Sequence, residues 1–194
     1  DQVTYLDISR GLPDDRVTAL HLDPAGNLYI GTGKSGLHLL RKDASRIVPL
    51  FISGNSLENN INALDGKSDS IFVATNNGVY SFNLVTGKRT SFSTANGLPH
   101  NKVNDILVDE EGTAWIATLT SGLVGIRSEK EIVQVILEGK PKLEFLSLAR
   151  DKTGVIWAGT YGDGVFKFNN DSLRWYHETE GLLSDYTYAI GIDP

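Results

Sequence analysis

The chain repeats one four-residue pattern, in which an aromatic residue is followed by two small or apolar residues and a threonine. The four copies are Tyr29–Thr32, Phe72–Thr75, Trp115–Thr118 and Trp157–Thr160. Their aromatic residues are 43, 43 and 42 residues apart. A period of this length, carried by short apolar runs and glycine turns, is typical of the blade repeat of a β-propeller. Recurring residues build the scaffold of such an array, so functional residues are sought where the copies differ.

Each copy divides into four short strands. The predicted first strands are Val17–Leu22, Ile61–Leu64, Val103–Val108 and Phe145–Ala149, and each second strand carries the aromatic-led pattern. The third strands follow turns that end at Gly36, Gly78, Gly122 and Gly164. The fourth strands are Arg46–Phe51, Arg89–Phe92, Ile132–Leu137 and Leu173–His177. Apolar residues alternate with period two and no helical stripe is present, which predicts an all-β fold, a β-propeller of four-stranded antiparallel blades.

The first and second strands of each copy are joined by a tight turn. In three copies an aspartate opens the turn and a glycine closes it, in Asp23–Gly26, Asp109–Gly112 and Asp151–Gly154. The aspartate carboxylate can accept backbone N–H groups, and the glycine can take a positive φ. In the second copy we expect Asp65–Asp69 to form a variant of this turn.

The repeat boundaries predict one propeller fragment over residues 1–194. Four whole repeats occupy about 11–56, 57–96, 97–139 and 140–180. Residues 1–10 read as the outer strand of a preceding blade, centred on Val3–Ile8, and residues 181–194 as the start of a fifth repeat with a strand over Tyr186–Ile192. We therefore expect an open arc of four blades. Because the sequence contains no methionine, we also expect a processed form or a piece of a longer protein.

Composition excludes several classes of function. The net charge is −6, so the sequence predicts no electrostatic surface for nucleic acid or anionic membrane. No apolar run approaches the roughly 18 residues that span a bilayer, and we expect no membrane contact by this segment. The absence of cysteine rules out disulfides, thiol nucleophiles and thiolate metal sites.

The complete repeat pattern resembles that of a known family. Gly-Leu-Pro is followed two residues later by Asn or Asp, then by an apolar strand, Asp-x-x-Gly, the aromatic-led strand and Gly-Leu. Residues Gly97–Leu123 and Gly11–Leu37 carry this pattern most fully, whereas the copy from Leu57 departs from it at Ser56 and in its first turn. In these features the chain resembles the two-component regulator propeller repeat, and four copies in register make the resemblance specific.

The resemblance implies a location and a function. Repeats of this family form the periplasmic sensor region of membrane-bound bacterial signalling receptors, often hybrid histidine kinases, and many of them sense carbohydrate fragments. Their propellers usually have about seven blades, which would need about 300 residues. The chain would then be part of one ring, and its ligand a carbohydrate or another small polar molecule.

Most recurring polar and aromatic residues are interpreted as scaffold. The short polar residues Asp15, Asn60, Asn101 and Asp185 are expected to bond the following backbone N–H groups and fix the blade-to-blade turns. The four repeat aromatics and threonines are expected in the interblade core. The segment Gly31–Gly36 resembles the end of a phosphate loop, but Leu28 replaces its first glycine. The four histidines have no metal-ligand spacing, so the sequence predicts neither a metal nor a cofactor.

Candidate ligand-binding residues remain after the scaffold is subtracted. The turns between second and third strands and the blade-to-blade connections emerge on one face of a propeller. The first set contributes Lys34, Asn76, Asn77, Thr120, Tyr161 and Asp163, and the second set contributes Arg16, His100, Lys102 and Tyr186. Tyr161 is favoured because an exposed ring beside the carboxylate of Asp163 suits sugar binding. The alternative is that these residues are ordinary solvated loop positions.

Three functions are compatible with this sequence. The first is a non-catalytic domain that senses a carbohydrate or other small polar ligand. The second is a protein-interaction propeller, which a contiguous exposed apolar patch would favour. The third is a propeller lyase or glycoside hydrolase, which would need convergent carboxylates or a metal at the channel mouth. In all three cases the open ends of the arc predict self-association.

Overall fold

The structure is a computed structural model that describes residues 5–128, 131–135, 143–169 and 172–193. In this part of the chain, sixteen strands form four antiparallel sheets of four strands each. Blade 1 contains β1 (Val17–Leu22), β2 (Leu28–Thr32), β3 (Leu37–Leu40) and β4 (Val48–Phe51). Blade 2 contains β5 (Ile61–Lys67), β6 (Ser70–Thr75), β7 (Gly78–Asn83) and β8 (Arg89–Phe92). Blade 3 contains β9 (Val103–Val108), β10 (Ala114–Thr118), β11 (Leu123–Ser128) and β12 (Glu131–Val135). Blade 4 contains β13 (Phe145–Arg150), β14 (Ile156–Thr160), β15 (Val165–Asn169) and β16 (Ser172–Tyr176).

The strand order within every sheet follows the chain, and the sheets pack against one another in chain order. The first strands β1, β5, β9 and β13 lie next to each other, which places them innermost and the fourth strands outermost. The predicted all-β class and the four-stranded antiparallel blades are confirmed. The described residues also form three short 3-10 helices that precede blade connections, Ile8–Arg10, Thr94–Asn96 and Glu178–Glu180.

The hairpin between the first and second strands is held by a bond from its aspartate to the repeat aromatic. In blade 3, Trp115 Nε1 donates to Asp109 Oδ2 over 2.7 Å, and in blade 4, Trp157 Nε1 donates to Asp151 Oδ2 over 3.0 Å. The Tyr29 hydroxyl makes the equivalent contact in blade 1. The spacing of six residues between aspartate and aromatic therefore fixes both the turn and the orientation of the ring.

Blade 2 has no such bond. The prediction that its turn begins at Asp65 is wrong, because Asp65, Gly66 and Lys67 are paired within the hairpin. Lys67 pairs with Ser70, so the turn is only Ser68 and Asp69, and Ser68 has a φ of 52°. A two-residue hairpin turn requires such left-handed backbone. Asp65 lies inside β5, where Oδ2 accepts the Val108 N–H of blade 3 over 2.7 Å. It connects two blades and does not open a turn.

The four repeat threonines are scaffold, as predicted. Each is fully buried, and its hydroxyl donates to the carbonyl of the glycine that opens the third strand. These glycines are Gly36, Gly78, Gly122 and Gly164, and all four have a positive φ. The same hydroxyl accepts an N–H from within the turn. Each threonine therefore closes the turn between the second and third strands.

The short polar residues of the blade connections are also structural, with two corrections. Their side chains accept an N–H seven residues upstream, not downstream: Asp15 from Ile8, Asn101 from Thr94 and Asp185 from Glu178. In the second repeat, Asn59 performs this role by accepting the Ser53 N–H, and not the predicted Asn60. The cause is that the connection of the second repeat is shorter by one residue, which shifts the register of the turn.

The core lies between blades. Phe145, Leu148 and Ile156 of blade 4 pack on Trp115 and Leu123 of blade 3, and equivalent apolar layers join the other blades. Trp115 is 5% exposed, which confirms its predicted burial. Trp157 is only half-buried; its ring stacks on Tyr176 at 5.9 Å and lies under the Lys167 ammonium. No described blade packs on the side of blade 4 that faces away from blade 3. Trp157 therefore lacks contacts of the kind that Trp115 makes with Phe168 of the following blade.

The predicted terminal strands are not formed in the described residues. Residues 5–7 of the predicted Val3–Ile8 strand are irregular, and Ile8 begins a 3-10 helix; residues 3 and 4 lie outside the described part. The predicted Tyr186–Ile192 strand is reduced to one bridge between Tyr186 and Tyr161. Next to this bridge the Thr187 N–H donates to the Thr160 carbonyl over 2.9 Å, but the rest of the segment pairs with no strand of the described residues, and a strand requires a hydrogen-bonded neighbour. Among the fourth strands, β4 begins at Val48 instead of Arg46, and residues 136–137 lie outside the described part.

Asp105 gives the blade 3–blade 4 junction an expected pH dependence. Its Oδ2 accepts the Leu148 N–H over 2.7 Å, and its Oδ1 accepts the Ile106 N–H over 2.8 Å. Burial raises the pKa of Asp105 to about 6, and the charge of Asp65 adds to the rise. An acid whose pKa is higher in the folded state favours folding most at low pH, and this contribution is lost as the pH rises from about 4 to about 6.

Asp105→Asn should remove this pH dependence. Between pH 4 and pH 7, the variant is expected to gain about 1–3 kcal/mol of unfolding free energy relative to the parent chain. Urea titrations across this range would measure the difference. Asp43→Asn removes an exposed turn carboxylate and serves as the control. Parallel pH profiles for the parent chain and Asp105→Asn would contradict the prediction.

Candidate functional site

The predicted ligand-binding loops do lie on one face of the molecule. In all four blades, the N–H of the glycine in the turn between the second and third strands donates to a carbonyl of the connection that follows the blade. The bonds are Gly36 to Asn59, Gly78 to Asn101, Gly122 to Leu143 and Gly164 to Asp185. We call the surface formed by these turns and connections the loop face. The turns of the first hairpin and of the third–fourth strand hairpin lie at the other ends of the strands and form the hairpin face.

Several predicted residues are held in hydrogen bonds on the loop face. Asn76 Oδ1 accepts from the Asn62 amide over 2.9 Å. The Asn77 amide donates to Glu58 over 3.2 Å, and its Oδ1 accepts from Asn101 over 3.3 Å. Burial opposes ionisation of Glu58, but the hydrogen bonds that it accepts outweigh burial and lower its pKa. Asn76 and Asn77 therefore belong to a network that joins blade 2 to its neighbours.

The basic candidates occupy separate places. The Arg16 side chain lies against the Gly33 backbone. The approach is so close that a Cβ added at Gly33 would be only 2.7 Å from Arg16 Cδ. This brings Arg16 beside the turn that carries the exposed Lys34. His100 Nδ1 accepts the Lys102 N–H over 2.9 Å, which leaves Nε2 as the protonated nitrogen of the neutral ring. The Thr120 side chain is exposed, and its Oγ1 lies 3.5 Å from Ser121 Oγ.

Tyr161 and Tyr186 are brought together by the isolated β-bridge that their backbones form. Their ring centroids are 5.1 Å apart in an edge-to-face arrangement, and the Tyr188 ring lies 6.1 Å from that of Tyr161. The three rings are 52%, 54% and 66% exposed. We call this group the tyrosine cluster. Asp163 belongs to the same turn, and its backbone N–H is held by the Thr160 hydroxyl.

Tyr188 was missed in the sequence because it belongs to the incomplete fifth repeat. It occupies the repeat position of Asn62 and Asn104, whose amides donate to backbone carbonyls of the next blade. The other two whole repeats have Thr18 and Leu146 at this position, so it varies between copies and the sequence gives no signal that distinguishes Tyr188.

The main clefts lie on the hairpin face, between successive blades. The cleft between blades 1 and 2 measures about 830 Å³, the cleft between blades 2 and 3 about 400 Å³, and the cleft between blades 3 and 4 about 370 Å³. None of the ten predicted ligand-binding residues lines these three clefts. The molecule thus presents exposed rings on one face and interblade clefts on the other.

The described residues lack two further kinds of feature. They contain no group of three or more histidine, aspartate or glutamate side chains arranged to hold a metal ion. None of their helices has the length and apolar character needed to cross a membrane.

The repeat family is decided by comparison with family models. Residues 11–34 and 97–120 match the model of the two-component regulator propeller. The chain carries two-component regulator propeller repeats. The matched segments are the two copies with the complete Gly-Leu-Pro, Asp-x-x-Gly and aromatic-led pattern, and this confirms the resemblance seen in the sequence.

Solved structures with the same fold include extracellular domains of one- and two-component systems and a lyase. One is the extracellular domain of a candidate one-component system from B. thetaiotaomicron, with a TM-score of 0.58, 19% identity, 92% of this chain covered and 30% of that chain. A second is the extracellular domain of a candidate hybrid two-component system from B. thetaiotaomicron, with a TM-score of 0.56 and 18% identity. The match covers 94% of this chain and 32% of that domain. A third, a streptogramin B lyase, has a TM-score of 0.71, 14% identity and coverages of 85% and 55%.

The propeller repeats of this chain thus span about a third of the two extracellular domains and about half of the lyase. At these identities the likeness concerns the fold. A search of curated proteins gave no match.

Proposed function

We propose that this chain is part of the periplasmic ligand-sensing region of a bacterial two-component-type receptor. It binds a carbohydrate or another small polar ligand and catalyses no reaction. Two findings support this proposal: the regulator propeller repeats and the fold shared with extracellular domains of a one-component and a hybrid two-component system. Binding would change the receptor's output only through a difference in affinity between two receptor arrangements.

The tyrosine cluster is the observation that carries the ligand class. Sugar rings bind to aromatic side chains through their apolar C–H faces, while polar groups nearby bind their hydroxyls. The rings of Tyr161, Tyr186 and Tyr188 are all half-exposed. The ring centroids of Tyr186 and Tyr188 lie 5.1 Å and 6.1 Å from that of Tyr161. Each ring also carries a hydroxyl that can donate and accept. Exposed tyrosines grouped in this way suit a polar ligand with apolar ring faces.

Removing Tyr161 or Tyr186 should weaken ligand binding without unfolding the chain. A thermal-shift screen against neutral oligosaccharides would first identify a ligand, and calorimetry would then give its dissociation constant. Tyr161→Ala and Tyr186→Ala are each expected to raise that constant about tenfold, because an aromatic contact contributes about 1 kcal/mol or more. Lys34→Ala is expected to weaken binding by a smaller factor, since a single exposed charge contributes less.

Tyr5→Ala is the matched control, because Tyr5 is 71% exposed and lies outside the cluster. It should leave the dissociation constant unchanged. If neither Tyr161→Ala nor Tyr186→Ala altered binding, the ligand would not be held by the tyrosine cluster and the proposed site would be wrong.

A further inference from the structure

The cleft between blades 1 and 2 differs from the other two in size and in its walls. It measures about 830 Å³, which is twice either of the others and within the usual range of small-molecule sites. Its floor is formed by the buried side chains of Tyr29, Leu39 and Phe82. Because the blades are built from one repeat, the cause of this difference lies in the residues at equivalent positions.

Ion pairs from lysine or arginine to Glu110 close the other two junctions at the hairpin face. At this junction the described residues have only the contact between His21 Nδ1 of blade 1 and Asp65 Oδ1 of blade 2 over 3.4 Å, which is an ion pair only when His21 is protonated. Lys67 of blade 2 and Arg150 of blade 4 both contact Glu110 of blade 3, each over 2.6 Å. The hydrogen bonds from Lys67 and Arg150 hold the pKa of Glu110 at about 2, so it is charged at neutral pH. Pro24 occupies the repeat position of Glu110 in blade 1 and can form no ion pair. On the blade 2 side, the turn that lines the cleft has only two residues, Ser68 and Asp69.

Two arginines from different blades line this cleft. Arg41 follows β3 of blade 1, and Arg89 begins β8 of blade 2. Arg89 lies over the Phe51 ring of blade 1 at 5.1 Å, so it reaches across the junction. Arg89 pairs with Phe82 at the register position where blades 3 and 4 have the apolar residues Ile132 and Leu173. A guanidinium at this position is a departure from the repeat pattern.

Neither arginine has an anionic partner in the described residues. Neither forms an ion pair there, and no side-chain hydrogen bond of either is found. By contrast, Arg127, at the repeat position of Arg41 in blade 3, pairs with Glu131 over 3.2 Å. Each guanidinium therefore keeps its five N–H donors available to a ligand.

The two aspartates of the cleft do not neutralise these arginines. Both carboxylate oxygens of Asp23 are occupied, because Oδ1 accepts the Asn27 N–H and Oδ2 accepts the Asn27 amide and the Tyr29 hydroxyl. Burial alone would raise the pKa of Asp23, but these hydrogen bonds lower it. Asp69 lies at the exposed tip of the blade 2 turn and forms no ion pair with either arginine.

We propose that the cleft between blades 1 and 2 is a binding site for a small carboxylate carried on a ring. The guanidinium groups of Arg41 and Arg89 bind the carboxylate, and the ring packs on the floor of Tyr29, Leu39 and Phe82. Arginine suits this role because its planar fork matches a carboxylate, and its charge is retained at any physiological pH. This site lies on the opposite face from the tyrosine cluster, and the inference goes beyond the function proposed for that cluster.

The test uses two acids and their neutral counterparts. Glucuronate and benzoate share a carboxylate on a six-membered ring, and glucose and benzyl alcohol lack the charge. Calorimetry on the 194-residue chain should show binding of at least one acid and no comparable binding of its neutral counterpart. The acid that binds identifies the ring as a sugar or an aromatic. Added salt should weaken binding of the acid, because the attraction is between charges.

Arg41→Ala and Arg89→Leu should each raise the dissociation constant of the acid by about 10- to 100-fold. Leucine is chosen because Leu173 occupies the equivalent position in blade 4 and preserves the fold there. Arg127→Ala is the matched control and should leave binding unchanged. Tyr161→Ala should also leave it unchanged, which separates this site from the tyrosine cluster. Equal binding of acids and neutral compounds, absence of acid binding, or unchanged binding in both arginine variants would overturn the proposal.

Discussion

Trp115→Ala is expected to lower the free energy of unfolding by about 3–5 kcal/mol. The indole is 5% exposed, packs edge-to-face on Phe168 of blade 4 at 5.0 Å, and donates to Asp109 over 2.7 Å. Alanine would leave a cavity at the junction of two blades and would leave the Asp109 oxygen without this donor. Chemical denaturation followed by circular dichroism would measure the loss.

Trp157→Ala is the comparison that tests why Trp115 matters. Both tryptophans have the same repeat position and the same bond to a turn aspartate, but Trp157 is only half-buried. Its replacement should therefore cost less than that of Trp115, although the sequence alone predicts equal costs. Trp115→Phe keeps most of the ring and should fall between the parent chain and Trp115→Ala. An equal or greater loss for Trp157→Ala would show that junction packing is not the cause.

Self-association through the open side of blade 1 is the second large effect expected. Leu20 is 58% exposed, whereas its repeat equivalents Leu64, Ile106 and Leu148 are 8%, 5% and 9% exposed. The equivalents are covered by the preceding blade, and no described blade covers Leu20. Leu22 on the same strand is 65% exposed. Paired apolar residues on an uncovered inner strand favour association with another copy.

Light scattering should therefore show a mean mass that rises with protein concentration. Replacing Leu20 and Leu22 together by aspartate should shift the chain to monomer at concentrations where the parent associates. Val85→Asp is the matched control, because Val85 is 73% exposed in a turn of blade 2 away from this surface. A parent chain that stays monomeric at high concentration would contradict the expectation.

The sequence predicted the blades because their strands and turns depend on local hydrogen bonds. Asp23, Asp109 and Asp151 bond residues within six positions, and the repeat threonines close turns three or four residues away. A pattern of this kind recurs with the repeat and can be recognised without the tertiary structure. The same reasoning misplaced Asp65, because its partner Val108 is 43 residues away in the next blade.

The candidate sites could be predicted only in part for the same reason. The sequence identified Tyr161 and Tyr186 separately, and the structure brings their rings together with Tyr188. It also showed that the second repeat is irregular, but it did not predict the cleft between blades 1 and 2. That cleft depends on which side chains meet across a junction, such as Lys67 with Glu110 and Arg89 with Phe51.

By itself, the sequence determined the all-β class, the four-stranded blades and the roles of the turn aspartates Asp23, Asp109 and Asp151 and of the repeat threonines, because these depend on contacts within one repeat. The tertiary structure alone decided which tryptophan is buried, which leucine is uncovered and which arginines lack a partner. Those properties depend on contacts between residues about 40 positions apart in neighbouring blades. Residues at the same repeat position therefore have different environments. How exposed a side chain is, and whether a charged side chain has a partner, depends on the residues of the neighbouring blade.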